Sequence, residues 1–279
     1  GLGALTKGPV ALIVPGTVTL LYCASRGEWK IWLRTVFNPL GLLILTAIAA
    51  PWYAYAYALH GQDFIDGFIM RHNVQRFSGS LEGHGGSAFY YLIAVPLLLL
   101  PWSGLFVNTL GKIRSDVPYP LRRFLWIWFG FVLAFFSLSG TKLPHYVLYG
   151  CTPLFMLIGL HAGEARRTWP HLIAPALLLL LFPLLPNLFD ALAHSSLGDG
   201  FYRAQLGRAL EVADGIYIGA TVGGLMIWLG IMFFPRVRLI PKLVITAALQ
   251  VVLLAGVVVP YAGELAQGPV KAAGLKARE

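Results

Sequence analysis

The sequence predicts an all-α fold, a polytopic transmembrane helical bundle of about eight spans with an outward-facing loop containing short interfacial helices. Three observations carry this. The 279 residues are 57% hydrophobic and only 12% charged, whereas a soluble domain has about 25% charged residues; mean hydropathy is +0.71. Apolar runs long enough to cross about 30 Å of hydrocarbon recur along the chain. The turns between them are short and punctuated by Pro, Gly and charge. In lipid, segments of this length satisfy their backbone groups only as helices.

The spans fall at roughly 8–24, 37–59, 89–111, 124–140, 145–162, 171–190, 215–234 and 243–262. The first opens at Pro9, which suits a first helical turn. The basic loop RGEWKIWLR separates it from the second. The polar interval 60–91 precedes the third, PLRRF precedes the fourth, and a sharp turn at Ser139–Pro144 precedes the fifth. Pro96, Pro101 and Pro153 interrupt spans and invite kinks. Between the sixth and seventh spans, FYRAQLGRALEVAD fits either a helix lying in the interface or a solvated connection. Residues 1–264 read as one transmembrane region that includes the outer loop 60–91, and residues 265–279 as a polar tail. The chain opens GLGALTKGPV, with neither an initiating Met nor a basic signal-peptide start, so an N-terminal portion is expected to precede it.

Basic residues set the orientation. One set of alternate loops holds twelve of the 21 Lys and Arg, densely placed in short loops; it reads as cytoplasmic. Nine of the twelve acidic residues lie on the other side. The net charge of +9 therefore reports topology, and no nucleic acid is read as a partner. Cys23 and Cys151 lie in apolar runs without CxxC spacing and read as small buried hydrophobes.

Three polar clusters share the outer side. Lys7, in Thr6-Lys7-Gly8-Pro9, either snorkels to headgroups or contacts an anion at a helix start. Arg71, His72 and Arg76 form the second cluster. His72 and Arg76 share a helical face, which fits either a basic interfacial helix or a guanidinium and imidazole closing on one phosphate. His84 follows among glycines that permit close backbone approach. A zinc site from His72, Glu82 and His84 matches no tight metal spacing, so no metal and no cofactor are read. The third cluster, Lys142, His145 and Tyr146, can add a point charge and two donors to the same anion site. Charge at membrane depth is costly and tends to be used. Trp52, Tyr53, Tyr90, Tyr91 and Trp102 form an aromatic belt nearby.

Four stretches, LTKGPVALIVPG (5–16), RHNVQRF with the following HGG and FYY, PLLLLPWSG (96–104) and SGTKLPHYVLYGCTPL (139–154), resemble the polytopic GT-C glycosyltransferases that use polyprenyl-phosphate sugars. That family includes the protein O-mannosyltransferases of family 39 and the ArnT-like aminoarabinose transferases. The resemblance covers roughly residues 1–160. It implies an inverting enzyme that moves a sugar from a polyprenyl-phosphate donor to lipid A, a protein or another glycan. It implies a multi-pass protein of the bacterial inner membrane with its site facing the periplasm and membrane lipids as partners. It places Lys7, Arg71, His72, Arg76, His84, Lys142, His145 and Tyr146 at the lipid phosphate. The family's general base is an acid in the first outward loop, and no stretch here matches that loop. Asp63 and Asp66 do not sit in that motif, so the catalytic acid is expected from a preceding segment. A flippase for lipid-linked sugars and a non-catalytic membrane subunit are the alternatives; nearly charge-free span interiors favour the enzyme over the flippase.

Overall fold

The structure is a computed structural model that describes residues 1–79, 85–165, 168–195, 200–234 and 236–276. The described residues are helical, without strands. Six helical stretches among them are long and apolar enough to cross a membrane: Pro39–His60, Pro120–Leu138, Pro144–Glu164, Trp169–Ala193, Gly215–Phe233 and Leu239–Gly268. The chain divides into two compact units, Gly1–Leu99 with Leu105–Glu164, and Leu100–Gly104 with Ala165–Glu279.

In the first unit, α1 (Leu2–Lys7) turns at Gly8 into α2 (Val10–Ser25). Gly8 sits at φ 64°, a conformation glycine adopts without steric cost. The amphipathic α3 (Trp29–Val36) follows. Next, Asn38 caps α4 (Pro39–His60) by accepting the Gly41 N–H at 3.0 Å, and Pro39 fills the first turn. Gly61, at φ 53°, redirects the chain into the outer segment. There the short helices expected in the loop form over residues 62–78, and their central part, Ile65–Gln75, is a π-helix. Aromatic packing holds it down. Phe64 and Phe68 stack at 5.5 Å and both meet Trp52 and Tyr53 of α4.

The expected span at 89–111 is instead two short helices, α5 (Tyr90–Leu98) and α6 (Ser103–Leu110). Pro101 lacks an amide donor and stops the ladder between them. The first expected span, 8–24, matches α2 within two residues at each end. α7 (Pro120–Leu138) and α8 (Leu148–His161) form the centre of this unit. Leu125, Phe129, Val132 and Phe136 are buried along one face of α7, at the spacing that keeps side chains on one helical stripe. Gly150 of α8 permits close approach: a Cβ there would lie 3.1 Å from Val132 and 3.4 Å from Phe129.

A polar network ties these helices together at the side carrying the basic loops. Asp116 is fully buried. Its carboxylate accepts from Arg122 Nη1 at 3.0 Å and Trp126 Nε1 at 2.9 Å, and faces His161 Nε2 at 2.8 Å. The other nitrogen of His161 meets Glu164 at 3.0 Å, and Glu164 accepts from Lys112 at 2.5 Å. Burial pushes the Asp116 carboxyl up, but the hydrogen bonds from Trp126, His161 and Arg122 outweigh it and hold the group below its ordinary 3.8. A depressed folded value gives stability that is fully present above the unfolded value and lost as pH falls through the folded one. Thermal unfolding in detergent should therefore be insensitive to this group at neutral pH and weaken below about pH 4. In Asp116→Asn that acid-side slope should be shallower.

In the second unit, α9 (Trp169–Ala193) carries Pro175, Pro183 and Pro186 within it, as membrane helices tolerate. Asp214 caps α10 (Gly215–Phe233) through the Tyr217 N–H at 2.8 Å. α11 (Leu239–Leu253) and α12 (Val259–Lys276) run on through a π-helical turn. Hydrogen bonds join the helices: Tyr217 to the Phe182 carbonyl at 2.6 Å, Trp228 Nε1 to Thr246 at 3.0 Å and Lys242 to the Met232 carbonyl at 2.5 Å. Trp228→Phe should lower stability by about 0.6–1.7 kcal/mol, the range for one such bond between membrane helices, read as a shift in thermal unfolding. The last part of the 191–214 connection is docked at Ala209, which is fully buried and whose carbonyl accepts from Tyr261 at 3.1 Å.

Candidate functional site

The α1–α2 turn, the outer segment and the residues after α7 border one cavity in the first unit, with a volume of about 560 Å³. Lys7, Pro9, Val10 and Ile13 come from the α1–α2 turn and the start of α2. Ile69, Phe77 and Ser78 come from the outer segment. Phe135, Phe136 and Ser139 end α7, and His145, Tyr146 and Tyr149 begin the next helix. The wall is largely aromatic. Phe136 stacks on Tyr149 at 5.8 Å and lies 5.1 Å from Tyr146, whose ring is edge-on to His145 at 4.9 Å.

The turn after α7 holds this wall together. The Gly140 N–H donates to the Phe77 carbonyl at 2.6 Å, and the Thr141 hydroxyl to the Gly79 carbonyl at 3.0 Å. A Cβ on Gly140 would lie 2.5 Å from the Gly79 backbone, too close for any side chain to fit. Gly140→Ala should therefore undock the outer segment, with overpacking costing about 1–3 kcal/mol. Faster amide exchange at Phe77–Gly79 is the measurement; unchanged exchange would count against the docking.

Lys7, His145 and Tyr146 thus line one cavity. Lys142 is buried and turned toward carbonyls: its ammonium donates to Phe136 at 3.3 Å, to Ser137 at 2.6 Å and to Ser139. Burial holds its pKa below the usual lysine value. Its position closes the turn rather than the cavity wall. Arg71 is exposed on the π-helix, two residues beyond the cavity-lining Ile69. The side chains of His72 and Arg76, and all of Glu82 and His84, lie outside the described residues, and with them the zinc set. Among the described residues no three His, Cys, Asp or Glu side chains group as metal ligands, and the described lining holds no carboxylate.

Sequence reasoning missed the aromatic wall of Phe135, Phe136 and Tyr149, and the buried Asp116 with His161. Phe135 and Phe136 sit within a run of apolar residues, where helical phase alone does not mark the inward face. An Asp ten residues before a Trp was a signal that could have found the network.

Fold and cavity together define a multi-pass α-helical membrane protein with a charged and aromatic recess at its helix ends. Within that class the chain is ArnT-like. It is 31% identical over 276 residues to the undecaprenyl phosphate-alpha-4-amino-4-deoxy-L-arabinose arabinosyl transferase of Erwinia tasmaniensis, spanning 93% of this chain and 46% of that one. It is 34% identical over 168 residues to the same-named protein of Pseudomonas paraeruginosa, spanning 60% of this chain and 30% of that one. Among solved structures it superposes on ArnT from Cupriavidus metallidurans bound to undecaprenyl phosphate with a TM-score of 0.67 and 25% identity, covering 95% of this chain and 46% of that one. No family model matches the sequence. The chain spans less than half the length of these relatives. Similarity runs well past residue 160, into the helices that sequence reading matched only by their hydrophobicity.

Proposed function

We propose that this chain forms the lipid-phosphate cavity of a membrane glycosyltransferase. The enzyme would move a sugar from an undecaprenyl- or similar polyprenyl-phosphate donor to an acceptor at the outer face, with lipid A the acceptor that the ArnT likeness favours. The observation that carries this reading is the meeting of Lys7, His145 and Tyr146 in a cavity walled by Val10, Ile13, Ile69, Phe77, Phe136 and Tyr149. A polyprenyl phosphate has the same two parts, an anionic head and an apolar chain. The named relatives and the ligand-bound ArnT structure support it.

In this reading Lys7 faces the phosphate. Its charge offsets the negative charge that grows on the departing polyprenyl phosphate, where a fixed cation contributes most. His145 and Tyr146 supply hydrogen bonds to the same oxygens. Arg71, His72, Arg76 and His84 complete the phosphate shell from the outer segment, and Lys142 supports it by holding the turn that positions His145. A carboxylate from outside the described lining takes the acceptor's proton. The site faces the periplasm of a bacterial inner membrane, on the side opposite the basic loops.

Tyr146→Phe tests the assignment in membranes supplied with a polyprenyl-phosphate sugar and a lipid acceptor. Transfer should fall about tenfold, the effect of one lost charge-assisted hydrogen bond of roughly 1.5 kcal/mol. Full transfer at normal expression would remove Tyr146 from the site.

A further inference from the structure

Helix α3, on the side carrying the basic loops, is the candidate unconnected with the cavity. A single ring pins it to α2: Trp32 Nε1 donates to the Gly16 carbonyl at 3.0 Å and to the Thr19 hydroxyl at 3.1 Å. Its other side chains face away. Trp29, Leu33 and Val36 share one helical face and are 50%, 37% and 38% exposed; Ile31 and the following Phe37 are 56% and 62% exposed. Lys30 and Arg34, four residues apart, lie on the flank beside Trp29, about 110° round the helix from that apolar face, and are both exposed. Neither has an ion-pair partner among the described residues. Neighbouring cations differ: Arg26 is paired with Glu28 at 3.0 Å, and Arg123 donates to the Val117 carbonyl at 2.6 Å. No acidic residue lies between Trp29 and Asn38.

Neither bulk phase suits this helix. Water would hydrate five large apolar side chains, and hydrocarbon would strip two unpaired cations. The helix joins the end of α2 to the start of α4, which puts it where a bilayer changes from one phase to the other. The interface accepts both faces. We propose that α3 is a docking surface for anionic phospholipid headgroups, with Lys30 and Arg34 contacting the lipid phosphate and Trp29 anchoring at headgroup level. The occupant follows from charge complementarity: the one carboxylate beside the helix, Glu28, is already paired with Arg26, and two cations without an ion-pair partner select anionic over zwitterionic lipid. The Lys30 ammonium, 5.9 Å from the Trp29 ring centre, sits at the depth of that anchor.

The test reconstitutes the full chain in phosphatidylcholine vesicles containing either brominated phosphatidylglycerol or brominated phosphatidylcholine. Trp29 emission is read as the difference between the wild type and Trp29→Phe. Quenching by the brominated phosphatidylglycerol should reach its midpoint at a several-fold lower mole fraction than quenching by the brominated phosphatidylcholine. The preference should shrink in high salt and vanish in Lys30→Gln/Arg34→Gln. The charge-preserving Lys30→Arg/Arg34→Lys should keep it. Equal quenching by the two lipids, no quenching by either, or a preference that survives in the Gln double variant would overturn the proposal.

Discussion

Lys7→Ala is expected to lower sugar transfer by about a hundred- to a thousandfold, the range for removing one preorganised group that stabilises transition-state charge. The loss should fall on kcat more than on KM, because the phosphate gains charge as the glycosidic bond breaks and the ammonium matters most at that moment. Stability should hardly change, within about 0.5 kcal/mol. Lys7 is exposed at a helix end and lines the cavity, so its removal leaves no buried partner stranded. Lys7→Arg should recover much of the activity, since a guanidinium also pairs with phosphate, at some cost in position. A loss confined to KM would mean that Lys7 grips the donor uniformly and contributes nothing specific to bond cleavage.

Asp116→Ala is expected to destabilise the first unit by about 3–5 kcal/mol, the cost of breaking a buried charged network from one side. The carboxylate is the shared acceptor of Arg122, Trp126 and His161. Its loss strands three donors at the junction of the Ile113–Asp116 turn, α7 and the end of α8. Asp116→Asn keeps one acceptor oxygen and should cost less. Thermal unfolding in detergent micelles measures both. A cost below about 1 kcal/mol for the Ala variant would show that the network is solvated and adds little.

Much of the fold was legible because the bilayer leaves so few choices. Apolar runs of fixed length, separated by Pro, Gly and charge, become spanning helices with little help from tertiary packing. Reading failed where packing decided the outcome. Short helices were expected in the outer loop and form over residues 62–78, but the π-helical winding packed by Phe64 and Phe68 against Trp52 and Tyr53 was not legible. The 89–111 run looks continuous in hydropathy, yet the chain breaks near Pro101. At the site, topology alone placed Lys7, His145 and Tyr146 on one side of the membrane, and the structure brings them to one cavity. The direction of Lys142 was not legible. Only the three-dimensional turn shows that the Phe136, Ser137 and Ser139 carbonyls surround its ammonium. Lys30 and Arg34 had read only as topology signals, because nothing in the sequence shows whether a cation has a partner.

The most direct measurement of whether this cavity holds a polyprenyl phosphate is photo-crosslinking with a chain-labelled analogue, followed by peptide mapping. Labels are expected on Ile13, Ile69, Phe77 and Tyr149, with labelling suppressed by excess unlabelled polyprenyl phosphate and weakened in Lys7→Ala. Labels spread over the outer faces of α4 and α7, or a pattern indifferent to competitor and to Lys7, would contradict it.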